Sequence, residues 1–95
     1  MSYTWEKLYS AVHTLSTSKG EPRERLIDAY NDDISALEIV YPSEIPEQIR
    51  DKVQALVQIT SGDVESYVNK LDEADVLNNI EEIIGLYSEA TRLDS

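Results

Sequence analysis

The chain has 95 residues, of which 41% are hydrophobic and 28% are charged, a composition typical of one globular domain and not of a disordered or fibrous protein. It contains no cysteine, which excludes disulfides, thiolate metal ligands and cysteine nucleophiles. Nineteen acidic and eight basic residues give a formal charge of −11, which disfavours binding to nucleic acid or anionic lipid and favours a protein partner with a basic surface.

The first predicted helix begins at Ser2 or Thr4, because either side chain can cap it. It ends near Gly20, a residue that readily adopts the left-handed conformation found after helices. Helical spacing places its apolar stripe on Trp5, Leu8, Tyr9, Val12 and Leu15.

Pro22 suits the first position of a second helix, where its missing N–H costs nothing. This helix is predicted to continue to near Val40, since Pro42 disfavours helical backbone in the residue before it. Residues 41–46 form the one clear loop, and their two prolines make it a stiff connection within a domain. The apolar stripe of the second helix is Leu26, Ile27, Tyr30, Ile34 and Leu37.

A third helix is predicted to open at Pro46 and to close at residues 61–63, which also offer caps for the next helix. Its stripe is Ile49, Val53, Leu56, Val57 and Thr60.

The last third of the chain carries two apolar stripes that lie about 150° apart around a helix axis. One straight helix cannot bury both against the same neighbour, so we predict a break near Asp72, which can cap a longer terminal helix. Gly85 lies inside that helix, where we expect a close helix–helix contact. The two stripes are Val64, Tyr67, Val68 and Leu71, followed by Val76, Leu77, Ile80, Ile83, Ile84 and Tyr87.

These elements predict an all-α fold, a single-domain bundle of four to five short-looped helices that spans residues 1–95. The predicted core is Trp5, Leu8, Val12, Leu15, Leu26, Ile27, Tyr30, Ile34, Leu37, Ile49, Val53, Leu56, Val64, Val68, Leu71, Leu77, Ile80, Ile84 and Tyr87.

Residues that could bind a metal ion are scarce. His13 is the only histidine, and no second histidine or Glu-x-x-His pair accompanies it. Asp28 and Asp32 share a helix face beside Asp33, but they lack the spacing of a calcium loop and fit a solvated helix face. The sequence therefore predicts no metal and no cofactor.

Groups for nucleophilic catalysis are equally sparse. Ser10, His13 and Ser16 lie on adjacent turns of one predicted helix, yet no glycine elbow or oxyanion site accompanies them. Glu81 and Glu82 point to different sides of a helix and cannot act on one substrate. We therefore expect a protein that is not an enzyme.

The aromatic composition points to protein contacts. Six of the seven aromatic residues are tyrosine, and there is no phenylalanine. Buried tyrosines need hydroxyl partners, and tyrosine and tryptophan concentrate in protein interfaces. The rings either lie at the edge of the core with their hydroxyls in water, or form a contact patch for another protein or for a second copy in a homo-oligomer. The candidate partner-binding tyrosines are Tyr3, Tyr41 and Tyr67.

Acidic residues form a second candidate surface on the terminal helix. Asp75, Glu82 and Glu89 recur on one side of it, and no basic residue lies between Lys70 and Arg92. This side is either an ordinary solvated face or a decoy that occupies a basic groove.

Two functions follow from these surfaces. The first is a non-catalytic interaction module, an adaptor or small subunit that docks on a protein partner. The second is an acidic inhibitor, a nucleic-acid mimic or an immunity- or antitoxin-type neutraliser. The N-terminus has no targeting signal and no segment approaches the ~20 apolar residues of a membrane span, so we expect a cytoplasmic protein. The initial methionine leads us to expect a complete native chain.

Overall fold

The computed structural model describes residues 2–94, which contain α-helices and 3₁₀ segments and no β-strand, and the all-α fold is as predicted. None of the helices within this range is both long enough and apolar enough to cross a bilayer. The α-helices are α1 (Tyr3–Thr17), α2 (Pro22–Asp32), α3 (Glu47–Thr60), α4 (Val64–Asn69) and α5 (Glu73–Asp94), and the 3₁₀ segments Ile34–Ile39 and Pro42–Glu44 join α2 to α3.

The helices enclose one continuous hydrophobic core. α1 packs mainly against α2 and α5, α4 packs against α2, and α3 packs against α5 and the first 3₁₀ segment. The buried apolar residues are Leu8, Ala11, Leu15, Leu26, Ala29, Tyr30, Ile34, Leu37, Ile45, Ile49, Val53, Leu56, Val64, Val68, Val76, Ile83, Leu86 and Ala90.

α1 begins where its cap predicts, because the Ser2 hydroxyl oxygen accepts a hydrogen bond of 3.0 Å from the amide of Trp5. After the helix, Gly20 adopts a φ of +114°, which side chains with a Cβ rarely adopt. A Cβ on Gly20 would also lie 2.7 Å from a carboxylate oxygen of Glu24. The turn into α2 therefore requires glycine for two separate reasons.

The second helix is shorter than predicted. It was expected to reach Val40, but the α-helix ends before Asp33 and the backbone continues as the first 3₁₀ segment. Asp33 turns inward, and the hydroxyl of Thr14 donates to its Oδ2 over 2.7 Å. With three residues per turn, the tighter helix aligns Ile34 with Leu37, and both are buried.

The connection at residues 41–46 contributes more to the core than its sequence indicates. It contains the second 3₁₀ segment, and Ile45 is only 3% exposed, although the predicted core omits it. Arg50 Nη2 donates to the Ile45 carbonyl over 3.0 Å. The stiff loop thereby inserts an apolar side chain between the helices.

The predicted break before the terminal helix is confirmed. α4 ends at Asn69 and α5 starts at Glu73. Asp72 Oδ1 accepts a hydrogen bond of 2.8 Å from the amide of Asp75, as an N-cap does. The break lets α5 take an axial rotation that is independent of α4.

That rotation differs from the predicted one. Leu77 and Ile84, assigned to the core from the sequence, are 52% and 41% exposed. Apolar residues cover more of the α5 circumference than one neighbour can bury, and α1, α2 and α3 all pack against the helix. The side of α5 that packs against these helices is buried, and its residues are Val76, Ile83, Leu86 and Ala90.

Gly85 does not lie at a close helix–helix contact, so that prediction is wrong. The residue is exposed, and a Cβ built on it meets no heavy atom within 4 Å. α5 therefore carries a glycine that its packing does not require.

Replacing Gly85 with alanine should raise the free energy of unfolding by about 0.8–1.0 kcal/mol, because alanine loses less backbone entropy in a helix. Urea denaturation measures this change. Gly20→Ala is the matched control and should destabilise the protein. A loss of stability in the Gly85 variant would contradict the open environment described for this residue.

Candidate interaction surfaces

α1 and α5 run antiparallel, side by side. Near one end, Trp5 Nε1 donates to Thr91 Oγ1 over 2.8 Å. One turn further along α1, the ring of Tyr9 lies 6.0 Å from that of Tyr87, which is one turn back along α5. The hydrogen bond fixes the indole of Trp5 and so holds the two helices in register.

Four rings cluster where these helices meet. The centroid of Trp5 lies 5.4 Å from that of Tyr9 and 5.7 Å from that of Tyr87, within the range of favourable aromatic pairs. The imidazole of His13 stacks on Tyr9 at 6.3 Å. Tyr9 is 43% exposed and His13 is exposed, whereas Trp5 and Tyr87 are half-buried. The cluster is thus an aromatic surface and not part of the sealed core.

Aliphatic side chains continue this surface along α5. Leu77, Ile80, Ile84 and Tyr87 follow one another at intervals of three and four residues, which places them in one stripe. Val12 lies half-buried on the adjoining side of α1. We call this surface the α1/α5 face and define it by Trp5, Tyr9, Val12, His13, Leu77, Ile80, Ile84 and Tyr87.

A groove of about 480 Å³ opens at the Leu77 end of the α1/α5 face. Leu77 and Val76 contribute its apolar lining. It lies between the start of α2, the end of α4 and the start of α5, and we call it the acidic groove because three of its lining residues are Glu21, Glu24 and Glu73. The one basic residue in its lining, Arg23, uses Nη1 to donate to the Val68 carbonyl.

The three tyrosines proposed from the sequence lie on different elements. The hydroxyl of Tyr3 donates to the Ala36 carbonyl over 3.4 Å, on the side of α1 that faces the first 3₁₀ segment. Tyr41 lies between the two 3₁₀ segments and is 72% exposed. Tyr67 is on α4 and is 37% exposed. Among the described residues, no ring contact joins any two of these three tyrosines.

The predicted acidic surface falls on the opposite side of α5 from the α1/α5 face. Asp75, Glu82 and Glu89 recur every seven residues and form one row. Lys52 of α3 joins Glu82 and Glu89 in a hollow of about 230 Å³. Arg92 Nη2 lies 3.7 Å from Glu89 Oε1. Positive charge from α3 and from the end of α5 thus reaches a row that has no base within it.

Several basic side chains stabilise the fold instead of neutralising acids. Three arginines donate to backbone carbonyls on other segments, and among the described side chains the Arg92–Glu89 pair is the one ion pair. The carboxylates therefore leave a strong negative field at the surface. The arginine contacts are Arg23 to Val68, Arg25 to Leu15 and Arg50 to Ile45.

Three of the groups considered for catalysis and metal binding, Ser16, His13 and Asp33, have other partners. The hydroxyl of Ser16 donates to the Val12 carbonyl over 2.9 Å, and His13 stacks on Tyr9. Asp33 is buried against Thr14 and is absent from the exposed surface of α2. Within the part of the chain that the structure describes, no three histidine, aspartate or glutamate side chains are placed to hold a metal ion.

Burial raises the pKa of the Asp33 carboxyl above its usual 3.8, and nearby Asp32 adds to this, while the hydrogen bond from Thr14 opposes it. The folded state therefore holds the proton more tightly than the unfolded chain. The ionised carboxyl destabilises the fold at neutral pH, and this penalty disappears as the pH falls through the folded pKa toward 3.8.

Asp33→Asn should stabilise the protein at pH 7, because the amide oxygen can still accept from Thr14 while no charge is buried. The difference from the parent should narrow as the pH is lowered toward about 4. Urea denaturation of both proteins at several pH values measures it. A difference that widens on acidification would contradict the raised pKa.

Sequence reasoning did not identify the α1/α5 face, although two signals for it were present. Trp5, Tyr9 and His13 recur every four residues, and α5 has more apolar positions than one stripe needs.

Comparison of the chain with protein-family models, curated proteins and solved structures gives no match.

Proposed function

We propose that this protein is a small acidic, non-catalytic interaction module, an adaptor or small subunit, which docks on a protein partner through the α1/α5 face. The observation that carries the proposal is the continuity of exposed Leu77 and Ile84 with the ring cluster around Trp5. Contiguous exposed apolar surface bordered by polar groups is typical of protein-binding sites.

The composition of the α1/α5 face suits an interface centre. Tryptophan and tyrosine are enriched among the residues that contribute most to protein binding. Complete burial of an exposed isoleucine or leucine side chain contributes about 1.5–3 kcal/mol to the free energy of binding. Leu77 and Ile84 expose about half of that surface in the free protein, so a partner gains part of this energy from each.

The rigidity of the helices that carry the α1/α5 face also favours binding. α1 and α5 are the two longest helices, with 15 and 22 residues, and the Trp5–Thr91 hydrogen bond joins them. A surface on packed helices loses little conformational entropy when it is covered. The partner therefore meets a preformed site.

The native partner is first isolated together with the protein from its host. The test then measures how tightly two matched isoleucine variants bind this partner. Ile84→Ser should weaken binding at least tenfold, about 1.4 kcal/mol, because it removes an apolar contact at the centre of the face. Ile39→Ser is the control, since Ile39 is 76% exposed on the first 3₁₀ segment and outside the face. Unchanged affinity for Ile84→Ser together with a loss for Ile39→Ser would overturn the proposal.

The acidic inhibitor is the second candidate function, and the row of Asp75, Glu82 and Glu89 favours it. The neighbouring Lys52 and Arg92 reduce the negative potential of that row, which makes this candidate the weaker one. It predicts that Glu82→Lys with Glu89→Lys lowers affinity at least tenfold without changing the melting temperature.

Salt separates the two functions. Binding through the α1/α5 face should persist in about 1 M salt, where the Debye length is about 3 Å, because apolar burial survives screening. Binding through the acidic row should be lost under the same conditions. Isothermal titration of the protein with its isolated partner at low and high salt measures the affinity that separates the two functions.

A further inference from the structure

We infer that the partner segment on the α1/α5 face is an amphipathic helix whose basic end enters the acidic groove, an inference that rests on the proposed function. The face supplies the apolar track for such a helix. The groove lies at one end of that track, because Leu77 belongs to both.

The shape of the face fits a helix. Two antiparallel helices leave a shallow furrow between them, and four side chains of the α1/α5 face are half-buried, namely Trp5, Val12, Ile80 and Tyr87. The face extends from Leu77 to Trp5, which lies at the level of Thr91 on α5, and this span is about 21 Å at 1.5 Å per residue. A partner helix of about four turns covers that length and presents apolar anchors at helical spacing.

The charge at the Leu77 end specifies the chemistry of the partner. Glu21, Glu24 and Glu73 line the acidic groove, where the guanidinium of Arg23 already donates to a backbone carbonyl. Val76 and Leu77 provide apolar lining beside them. Lysine and arginine match this combination, because their aliphatic stems pack on apolar side chains while their charged ends meet carboxylates.

Charge also argues against a second copy of the chain as the occupant. Each copy carries a formal charge of −11, so two copies repel one another. A copy that covered the α1/α5 face would bring further glutamates toward the acidic groove. The occupant is therefore a different, basic polypeptide.

Trp5 makes the inference measurable, because it is the only tryptophan of the chain and lies within the face. The probes are two synthetic helical peptides of about 14 residues without tryptophan or tyrosine, a length that matches the α1/α5 face from Leu77 to Trp5. Both carry the same leucine stripe, and one has lysine and arginine where the other has glutamate. The basic peptide should shift the Trp5 emission saturably, and the acidic peptide should bind at least tenfold more weakly.

Variants that replace glutamate with uncharged glutamine test whether the basic end of the peptide binds in the acidic groove. Glu21→Gln, Glu24→Gln and Glu73→Gln together should weaken the basic peptide about tenfold, or about 1.4 kcal/mol. The control removes the same charge elsewhere, at the exposed residues Glu38, Glu44 and Glu47, and should change the affinity less than threefold. Equal losses in both triple variants would show only the influence of net charge and would overturn the role of the groove.

The remaining outcomes separate this inference from the proposed function. Equal affinity for both peptides, or no shift of Trp5 emission with either, overturns the inference that the partner segment is a basic amphipathic helix. The proposed function still stands in that case if Ile84→Ser releases the native partner. A concentration-dependent dimer in sedimentation that Ile84→Ser dissociates would identify a second copy as the occupant and overturn the inference.

Discussion

Ile83→Ala is expected to lower the free energy of unfolding by about 2–5 kcal/mol, because it removes buried methyl groups and leaves a cavity. Ile83 is fully buried, whereas Ile84, the next residue along α5, is 41% exposed. The same substitution at Ile84 should change stability by about 1 kcal/mol or less, since exposed sites tolerate truncation.

Urea denaturation of these two variants tests the rotation of α5, on which the α1/α5 face depends. A larger loss for Ile84→Ala than for Ile83→Ala would mean that α5 turns its other stripe inward. In that case Leu77 and Ile84 would be core residues, and the α1/α5 face as defined above would not exist.

Tyr30→Ala should cost about 3–5 kcal/mol, comparable to truncation of other large buried aromatic residues. The side chain is fully buried, and its hydroxyl donates to Asn79 Oδ1 over 2.6 Å, which links α2 to α5. Tyr30→Phe keeps the ring and leaves the Asn79 oxygen without this donor, so it should cost about 1–3 kcal/mol. Equal stability of the parent and the phenylalanine variant would contradict this role for the hydroxyl.

The Tyr30 hydroxyl also predicts a loss of stability in alkali. Burial raises its pKa far above the usual value of 10.0, and the nearby Tyr67 and Glu82 raise it further. Above pH 10.0 the unfolded chain loses this proton while the folded protein keeps it, so stability falls as the pH rises. Tyr30→Phe should remove this part of the alkaline sensitivity.

Local chemistry accounts for the parts of the fold that the sequence predicts. Ser2 and Asp72 cap α1 and α5 because short oxygen-bearing side chains reach amides in the first turn. Gly20 marks the turn before α2 because it adopts a positive φ. Each of these effects involves neighbouring residues only, so the chain itself specifies them.

Tertiary contacts decide what the sequence does not. Asp33 ends α2 through a hydrogen bond with Thr14, which is nineteen positions earlier in the chain. Both Ile83 and Ile84 belong to apolar stripes on α5, and packing against α1, α2 and α3 buries Ile83 and leaves Ile84 partly exposed. A pattern of period 3.6 specifies a helix but not its rotation when apolar residues cover more of its circumference than one neighbour can bury.

Tertiary contacts also decide where the candidate site lies, and the sequence alone does not specify it. Net charge and the abundance of tyrosine indicate a protein partner, but not where it binds. The α1/α5 face appears only when Trp5 and Tyr9 are placed against Tyr87, more than seventy residues away. The acidic groove likewise requires Glu21 and Glu73 from distant segments.

Cross-linking in the cell tests most directly whether the α1/α5 face is the docking surface. A photoreactive side chain at Ser88, which is exposed one turn beyond Ile84, should form a covalent adduct with one partner protein, and Ile84→Ser should abolish that adduct. The same group at Gln54, exposed on α3, should give no adduct with this partner. An adduct from Gln54 alone, or one from Ser88 that persists in Ile84→Ser, would contradict docking at this face.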